Sequence, residues 1–247
     1  MNLFRAVPSL RMKRRRTIDP APAMNLPALI VFDMAGTTIE AGDLVPLAFM
    51  KAFEYEGIQL SESQVSEVRG RSKTDAIYEL LQRHAGDRAA QARYRQVHDR
   101  FRQSLLAAYS EHGITTIDGA GTTFSWAQNA NIRIALTTGF DRELAQLLCR
   151  LAGWTGITDT LVSGTDVAQG RPAPDLVLKA MKRTGCTDSS RVAVVGDTIS
   201  DIRSAKAAAA GWSIGVLSGA HGHVRLAAES PTVILDSVAD LPRYFEA

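Results

Sequence analysis

The sequence predicts an α/β fold, a doubly wound parallel sheet (Rossmann-like) interrupted early by a helical insertion. Three observations carry that expectation. Short apolar runs recur along the chain, each bounded by Gly, Asp or Thr. Helical patterns lie between most of them, and about a hundred residues separate the first run from the second. Runs this short and this apolar suit strands buried on both faces.

"ALIVFD" (28–33) opens the sheet and ends in Asp33 ahead of the turn "MAGTT". "IRIALTT" (132–138), "TLVSG" (160–164), "RVAVVGD" (191–197) and "SIGVLSG" (213–219) read as further parallel strands, and "TVILDSV" (232–238) as a last edge strand before a short closing helix. Helical patterns at 141–152, 174–184 and 199–210 supply the crossovers of right-handed βαβ units. The long first connection exceeds an ordinary βα link. It carries helical periodicity at 45–56, 73–84 and 88–110 with little strand signal. The expected organisation is therefore a core from residues 24–42 and 113–247 and a helical cap from 43–112. In such sheets ligands bind outside the carboxyl ends of the strands. A cap there can exclude water.

With 247 residues, 45% hydrophobic and 22% charged, the chain can bury a sizeable core. No apolar run approaches the roughly 20 residues that span a bilayer. Cys149 and Cys186 are too few and too isolated for a disulfide framework or zinc site, which fits a reducing cytosol and predicts a cytoplasmic protein. The net charge of +2 conceals an asymmetry. Residues 1–23 hold Arg5, Arg11, Lys13, Arg14, Arg15 and Arg16 against Asp19 alone, a surplus of five positive charges, so 24–247 stands at −3. A "KRRR" cluster suits nucleic acid or anionic lipid, and an Arg-rich, acid-poor start suits a transit peptide. The composition favours a disordered extension ahead of a domain opened by Met24. No basic patch with interleaved aromatics follows, so neither nucleic acid nor membrane is the expected partner.

Polar residues gather at four predicted strand or loop ends. Asp33 ends the first strand. "LTTGF" offers the Thr138 hydroxyl and the Gly139 amide, "DVAQGRPAPD" holds Arg171 between Gly170 and Pro172, and "GDTISD" places Asp197 and Asp201 around a helix start. Each alone has a structural explanation: Asp197 as a helix cap, Asp201 paired with Arg203, Thr138 as a buried hydroxyl. Together they suit phosphoryl chemistry. Carboxylates with substrate oxygens and water suit Mg²⁺. A hydroxyl, an amide and a fixed cation suit phosphoryl oxygens. Asp33 is then placed to attack phosphorus.

In this order, D-x-x-x-T-T, the Thr after the second strand, "GRPAPD" and "GDTISD" resemble the haloacid dehalogenase superfamily over essentially residues 27–240. The resemblance implies that Asp33 is the nucleophile and that Thr138 binds phosphoryl oxygen, with Thr37 and Gly139 as further substrate contacts. It implies that Arg171, where most relatives have lysine, steadies the nucleophile and the phosphoryl charge. Asp33, the Ala35 carbonyl and Asp197 would hold Mg²⁺, with Asp201 in or beside the metal shell.

Phosphatases of that superfamily have a second aspartate at the position of Ala35, where it protonates the departing alkoxide. Alanine cannot. "FDMAGTT", "GRP" and "GDTISD" resemble instead the phosphonatase branch, which cleaves a phosphorus–carbon bond. There a lysine amine condenses with a neighbouring aldehyde, and carbon departs as an enamine. "RGRSKTDAI" (69–77) supplies the G-x-x-K pattern with Gly70 and Lys73, and Arg71 is expected on the substrate. A helix start at Lys73 would favour the free amine. The branch's histidine three residues after the lysine is here Ala76, its cysteine after the nucleophile motif is Asp43, and its tyrosine after "TTG" is Phe140. The expected ligand is a small organophosphonate. A phosphatase or phosphomutase acting on a small phosphate ester, and a catalytically silent binding module, remain open, as does a homodimer. His98 and His112 are expected on solvent or core, Trp126, Trp154 and Trp212 in packing, and His221, His223 and Arg69 are secondary candidates near substrate.

Overall fold

The computed structural model describes residues 26–40 and 42–247; the basic extension and Met24 lie outside the described residues. Six parallel strands form one sheet: β1 (Leu29–Asp33), β2 (Arg133–Thr137), β3 (Thr160–Val162), β4 (Val192–Gly196), β5 (Trp212–Val216) and β6 (Val233–Leu235), in the order β3-β2-β1-β4-β5-β6. β1 pairs β2 from Leu29↔Arg133 to Asp33↔Thr137 and β4 from Leu29↔Val192 to Phe32↔Val195. The order reverses between β2 and β4, on either side of β1, which opens a crevice beyond the strand ends.

Alternation within the strands divides the core. Ile30 and Phe32 face the layer containing Phe124 and Trp154, while Leu29 and Val31 face Leu176, Val177 and Ala180. Four helices fill the long connection: α1 (Leu44–Glu54), α2 (Glu62–Glu67), α3 (Lys73–Ala85) and α4 (Asp87–His112). The core adds α5 (Ala120–Asn129), α6 (Arg142–Leu151), α7 (Asp175–Thr184), α8 (Ile199–Ala207), α9 (His223–Ala227) and α10 (Leu241–Glu246).

The cap coheres by its own apolar faces. Phe49 of α1 meets Phe101 of α4 with ring centroids 4.5 Å apart, and Ile77, Leu80 and Leu81 of α3 are fully buried. α3 starts where Ser72 accepts the Asp75 amide, a side-chain cap that fixes Lys73 as the first helical residue. Three helices escaped the sequence reading, among them the five-residue α9. α2 is only six residues long, and α5 contains Thr122 and Thr123, whose β-branched side chains weaken helix propensity. All three tryptophans pack: Trp154 on Phe124, Trp126 and Trp212 on Phe245. Arg203 pairs with Glu229 rather than with Asp201.

Candidate active site

Asp33 sits where β1 ends at the crevice. Thr38 donates its hydroxyl to the Asp33 carbonyl at 3.0 Å, so the Gly/Thr turn is pinned to the strand it leaves. Arg171 lies on the floor with each of its three guanidinium nitrogens engaged. Nη1 donates to Asp33 Oδ1 at 2.6 Å, Nη2 to Thr137 Oγ1 at 2.6 Å, and Nε stands 2.8 Å from Asp201 Oδ1. Asp33 Oδ2 makes no hydrogen bond among the described residues and remains the oxygen available for attack. Thr137 was not anticipated; its neighbour Thr138 has the cavity, while Thr137 turns inward and orients the guanidinium.

Thr138 accepts the Phe140 amide at 3.2 Å, which leaves its own proton free to donate. The Gly139 amide makes no hydrogen bond among the described residues. These are the hydroxyl and amide expected for phosphoryl oxygens. Asp33, Ala35, Lys73, Thr138, Gly139, Arg171 and Asp197 all line one cleft of about 450 Å³, measured out to its mouth.

Three expected residues have other work. The Thr37 hydroxyl is fully buried and donates to Asp197 Oδ1 at 3.1 Å, so it holds a carboxylate rather than substrate. The Arg71 guanidinium is paired with Glu79 at 2.6 Å outside the cleft; only the Arg71 carbonyl takes part, accepting from Lys73 Nζ at 3.4 Å. Asp201 Oδ2 accepts both the amide and the hydroxyl of Thr198, and its Oδ1 faces Arg171. It is helix cap and counter-ion at once, beside the carboxylates of the cleft. Arg69, not Arg71, lines the cleft.

Lys73 arrives from the cap. It is 7% exposed, its ammonium nitrogen lies 5.3 Å from the Phe140 ring centroid and 5.9 Å from that of Phe49, and its backbone amide donates to the Gly139 carbonyl at 3.3 Å. Burial brings its pKa down to about 8; the Asp33 charge pulls it back up, and Arg171 and Arg69 press it down. Ala76 is fully buried among apolar side chains, and Asp43 is exposed ahead of α1, so neither reaches the cleft.

The cap is closed on the core, and three glycines make that possible. A Cβ on Gly70 would stand 2.2 Å from Thr198 Oγ1, one on Gly139 2.5 Å from the Arg71 carbonyl oxygen, and one on Gly170 2.5 Å from Ser72 Cβ. Gly139→Ala is expected to hold the cap away and lower kcat/KM by about 10²-fold. Unfolding temperature should stay near the parent value; steady-state rates and a thermal melt check both.

A family model described as haloacid dehalogenase-like hydrolase matches residues 27–209. The chain belongs to that family. Among haloacid dehalogenase-like hydrolases it is similar to phosphonoacetaldehyde hydrolase of Latilactobacillus sakei subsp. sakei, 34% identical over 189 residues, 72% of this chain and 71% of the relative. It is likewise similar to phosphonoacetaldehyde hydrolase of Bacillus cereus, 29% identical over 201 residues, 77% and 75% of the two chains. The fold matches a phosphonoacetaldehyde hydrolase-like protein from Oleispira antarctica (TM-score 0.78, 22% identity, 96% of each chain). It also matches β-phosphoglucomutase from Clostridium difficile (TM-score 0.76, 15% identity, 90% and 96%). This chain is thus a hydrolase of the haloacid dehalogenase superfamily on its phosphonatase-like branch. No helix among the described residues is long and apolar enough to cross a membrane.

The donors fit the Mg²⁺ such hydrolases imply. Asp33, Asp197 and Asp201 bring three buried carboxylates to a cleft whose buried cations are Arg171 and Lys73, an excess of negative charge that favours a bound cation. Burial above all raises the Asp33 pKa; Arg171 draws it down, and Asp201 and Asp197 add to the rise. Asp197 is raised by burial and by Asp201, against hydrogen bonds from the Ala220 amide and Thr37. Among the described residues no three Asp, Glu, His or Cys side chains form a complete metal cage. Mg²⁺ needs none, since it keeps waters and substrate oxygens beside one or two carboxylates.

Proposed function

We propose that this hydrolase cleaves the phosphorus–carbon bond of a small phosphonate that carries an aldehyde carbon next to the carbon on phosphorus. One observation carries the reading: Ala35 stands in the cleft where an acid would serve an oxygen leaving group, and the buried Lys73 amine faces the same cleft as Asp33. A carbanion departs from phosphorus only when its electron pair is delocalised, and an imine delocalises it.

The Lys73 amine adds to the aldehyde carbon and, with loss of water, forms a protonated imine. Asp33 Oδ2 attacks phosphorus, the P–C bond breaks, and its electron pair moves into the imine to give an enamine. Arg171 holds Asp33 Oδ1 so that Oδ2 meets phosphorus in line, while the Thr138 hydroxyl and Gly139 amide bind phosphoryl oxygens. The enamine takes a proton on carbon, water frees the aldehyde from Lys73, and water hydrolyses the aspartyl-phosphate to give inorganic phosphate. Asp33, Asp197 and the Ala35 carbonyl are the residues that would hold Mg²⁺, whose chemistry there is Lewis-acid stabilisation of phosphoryl charge.

Phosphate release from a panel of phosphonates and phosphate esters tests the reading. Aldehydic phosphonates should turn over; turnover of esters alone would select the phosphatase alternative, and no turnover the silent module. Activity should vanish with chelator and return with Mg²⁺. Asp197→Ala should weaken Mg²⁺ activation by at least the roughly 10–100-fold that outer-shell changes produce. Turnover indifferent to chelator would remove the metal from the scheme.

A further inference from the structure

His221 has no part in that chemistry, yet the polypeptide around it is built onto Asp197. The Ala220 amide donates to Asp197 Oδ2 at 2.7 Å, and the His221 amide donates to the Asp197 carbonyl at 3.2 Å. Ser218 donates its hydroxyl to the Gly36 carbonyl at 2.8 Å, tying the same turn to the nucleophile loop. Gly36 and Gly219 close on the carboxylate from two sides: a Cβ on either would lie 2.4 Å or 2.1 Å from Asp197 Oδ2. The turn 218–221 is a cradle for one carboxylate.

The imidazole holds that cradle to the rest of the core. His221 is 2% exposed, and its Nδ1 accepts the Ile199 amide at 3.0 Å. Ile199 is the first residue of α8, so its N–H is one of the donors a helix start leaves unmet. Thr198 and Asp201 cap the same end through each other, and His221 completes it from a distant segment. An accepting Nδ1 places the proton on Nε2. Nε2 is buried and faces the Ser66 backbone carbonyl of the cap, which lies too far off line to complete a full hydrogen bond. Burial first, then the charges of Arg225 and Arg69, bring the imidazole pKa down to about 4 and keep the ring in the neutral form that can accept. The bond with full hydrogen-bond geometry is the one at Nδ1, and it ties the ring to the start of α8.

We propose that His221 is a positioning residue for Asp197: by accepting the Ile199 amide it fixes the 218–221 turn, and with it the Ala220 amide that orients the carboxylate for Mg²⁺. The proposal rests on the metal reading above. Isothermal titration of Mg²⁺ into the metal-free full chain tests it without turnover. His221→Ala should weaken Mg²⁺ binding by about tenfold or more. His221→Asn puts an oxygen acceptor where Nδ1 stands and should return affinity to within about threefold of the parent. His221→Gln fills similar space with its acceptor one carbon further out, and should bind like the alanine variant. Parent-like affinity in His221→Ala, or equal affinities in the Asn and Gln variants, would overturn the proposal. If the alanine variant fails to fold, the Asn and Gln pair decides alone. Should the parent chain itself bind no Mg²⁺, the metal reading falls, and this role with it.

Discussion

Asp33→Asn should remain folded and release no phosphate, a loss on the order of 10⁴-fold or more. The amide has the shape of the carboxylate but cannot form the aspartyl-phosphate. Folding should survive because Arg171 keeps Asp201 at 2.8 Å and Thr137 at 2.6 Å when its bond to position 33 is weakened. The exchange also removes one of three buried carboxylates that repel one another, which offsets part of the cost. Circular dichroism and a thermal melt establish the fold, and a phosphate-release assay reads the chemistry. Substantial activity in this variant would end the covalent mechanism.

Lys73→Arg should lower P–C cleavage by several orders of magnitude while ligand binding persists, because arginine keeps the charge but offers no nucleophilic amine. Borohydride added during turnover should leave a reduced adduct on the peptide containing Lys73, visible by mass. The pH dependence has a definite sign. The neutral amine attacks, and burial has brought the Lys73 pKa from the ordinary 10.5 to about 8. Trapping should therefore rise with pH through about 8 and then level, where an ordinary lysine would still be climbing. Ala35→Asp should not assist P–C cleavage, although the added acid can serve an ester. Normal phosphonate cleavage by Lys73→Arg, or turnover with no trappable adduct, would leave an ester hydrolase with another proton donor.

The sheet was legible because its central strands are buried on both faces and so consist of little else than apolar residues between turn formers. The floor of the cleft was legible for a related reason: Asp33, Thr138, Gly139, Arg171 and Asp197 each follow or lie near such a run, and strand ends meet at the reversal of strand order. What could not be read was which of two adjacent side chains points inward. Thr137 and Thr138, and the nearby Arg69 and Arg71, differ only in direction, and direction is set by partners far along the chain, such as Glu79 for Arg71. Asp201 was ambiguous because one carboxylate can cap a helix, pair with a cation or bind a metal. His221 carried a weak signal, a histidine in a glycine-bearing turn. Its role depends on Ile199, 22 residues away, meeting it in space.

The three glycine contacts between cap and core bear on selectivity as well as on fit. The seam at Gly70, Gly139 and Gly170 is mostly backbone and small polar side chains. Were the seam to part, the molecule would fall into two incomplete halves. The core keeps Asp33 but has alanine at position 35, so it has no acid there for the ordinary phosphate esters of a cell. The cap keeps Lys73, but an amine carried away from Asp33 has no phosphorus to act on. On the proposed chemistry, discrimination would reside in assembly: a bystander ester entering an opened molecule would meet a machine with its working parts on separate benches.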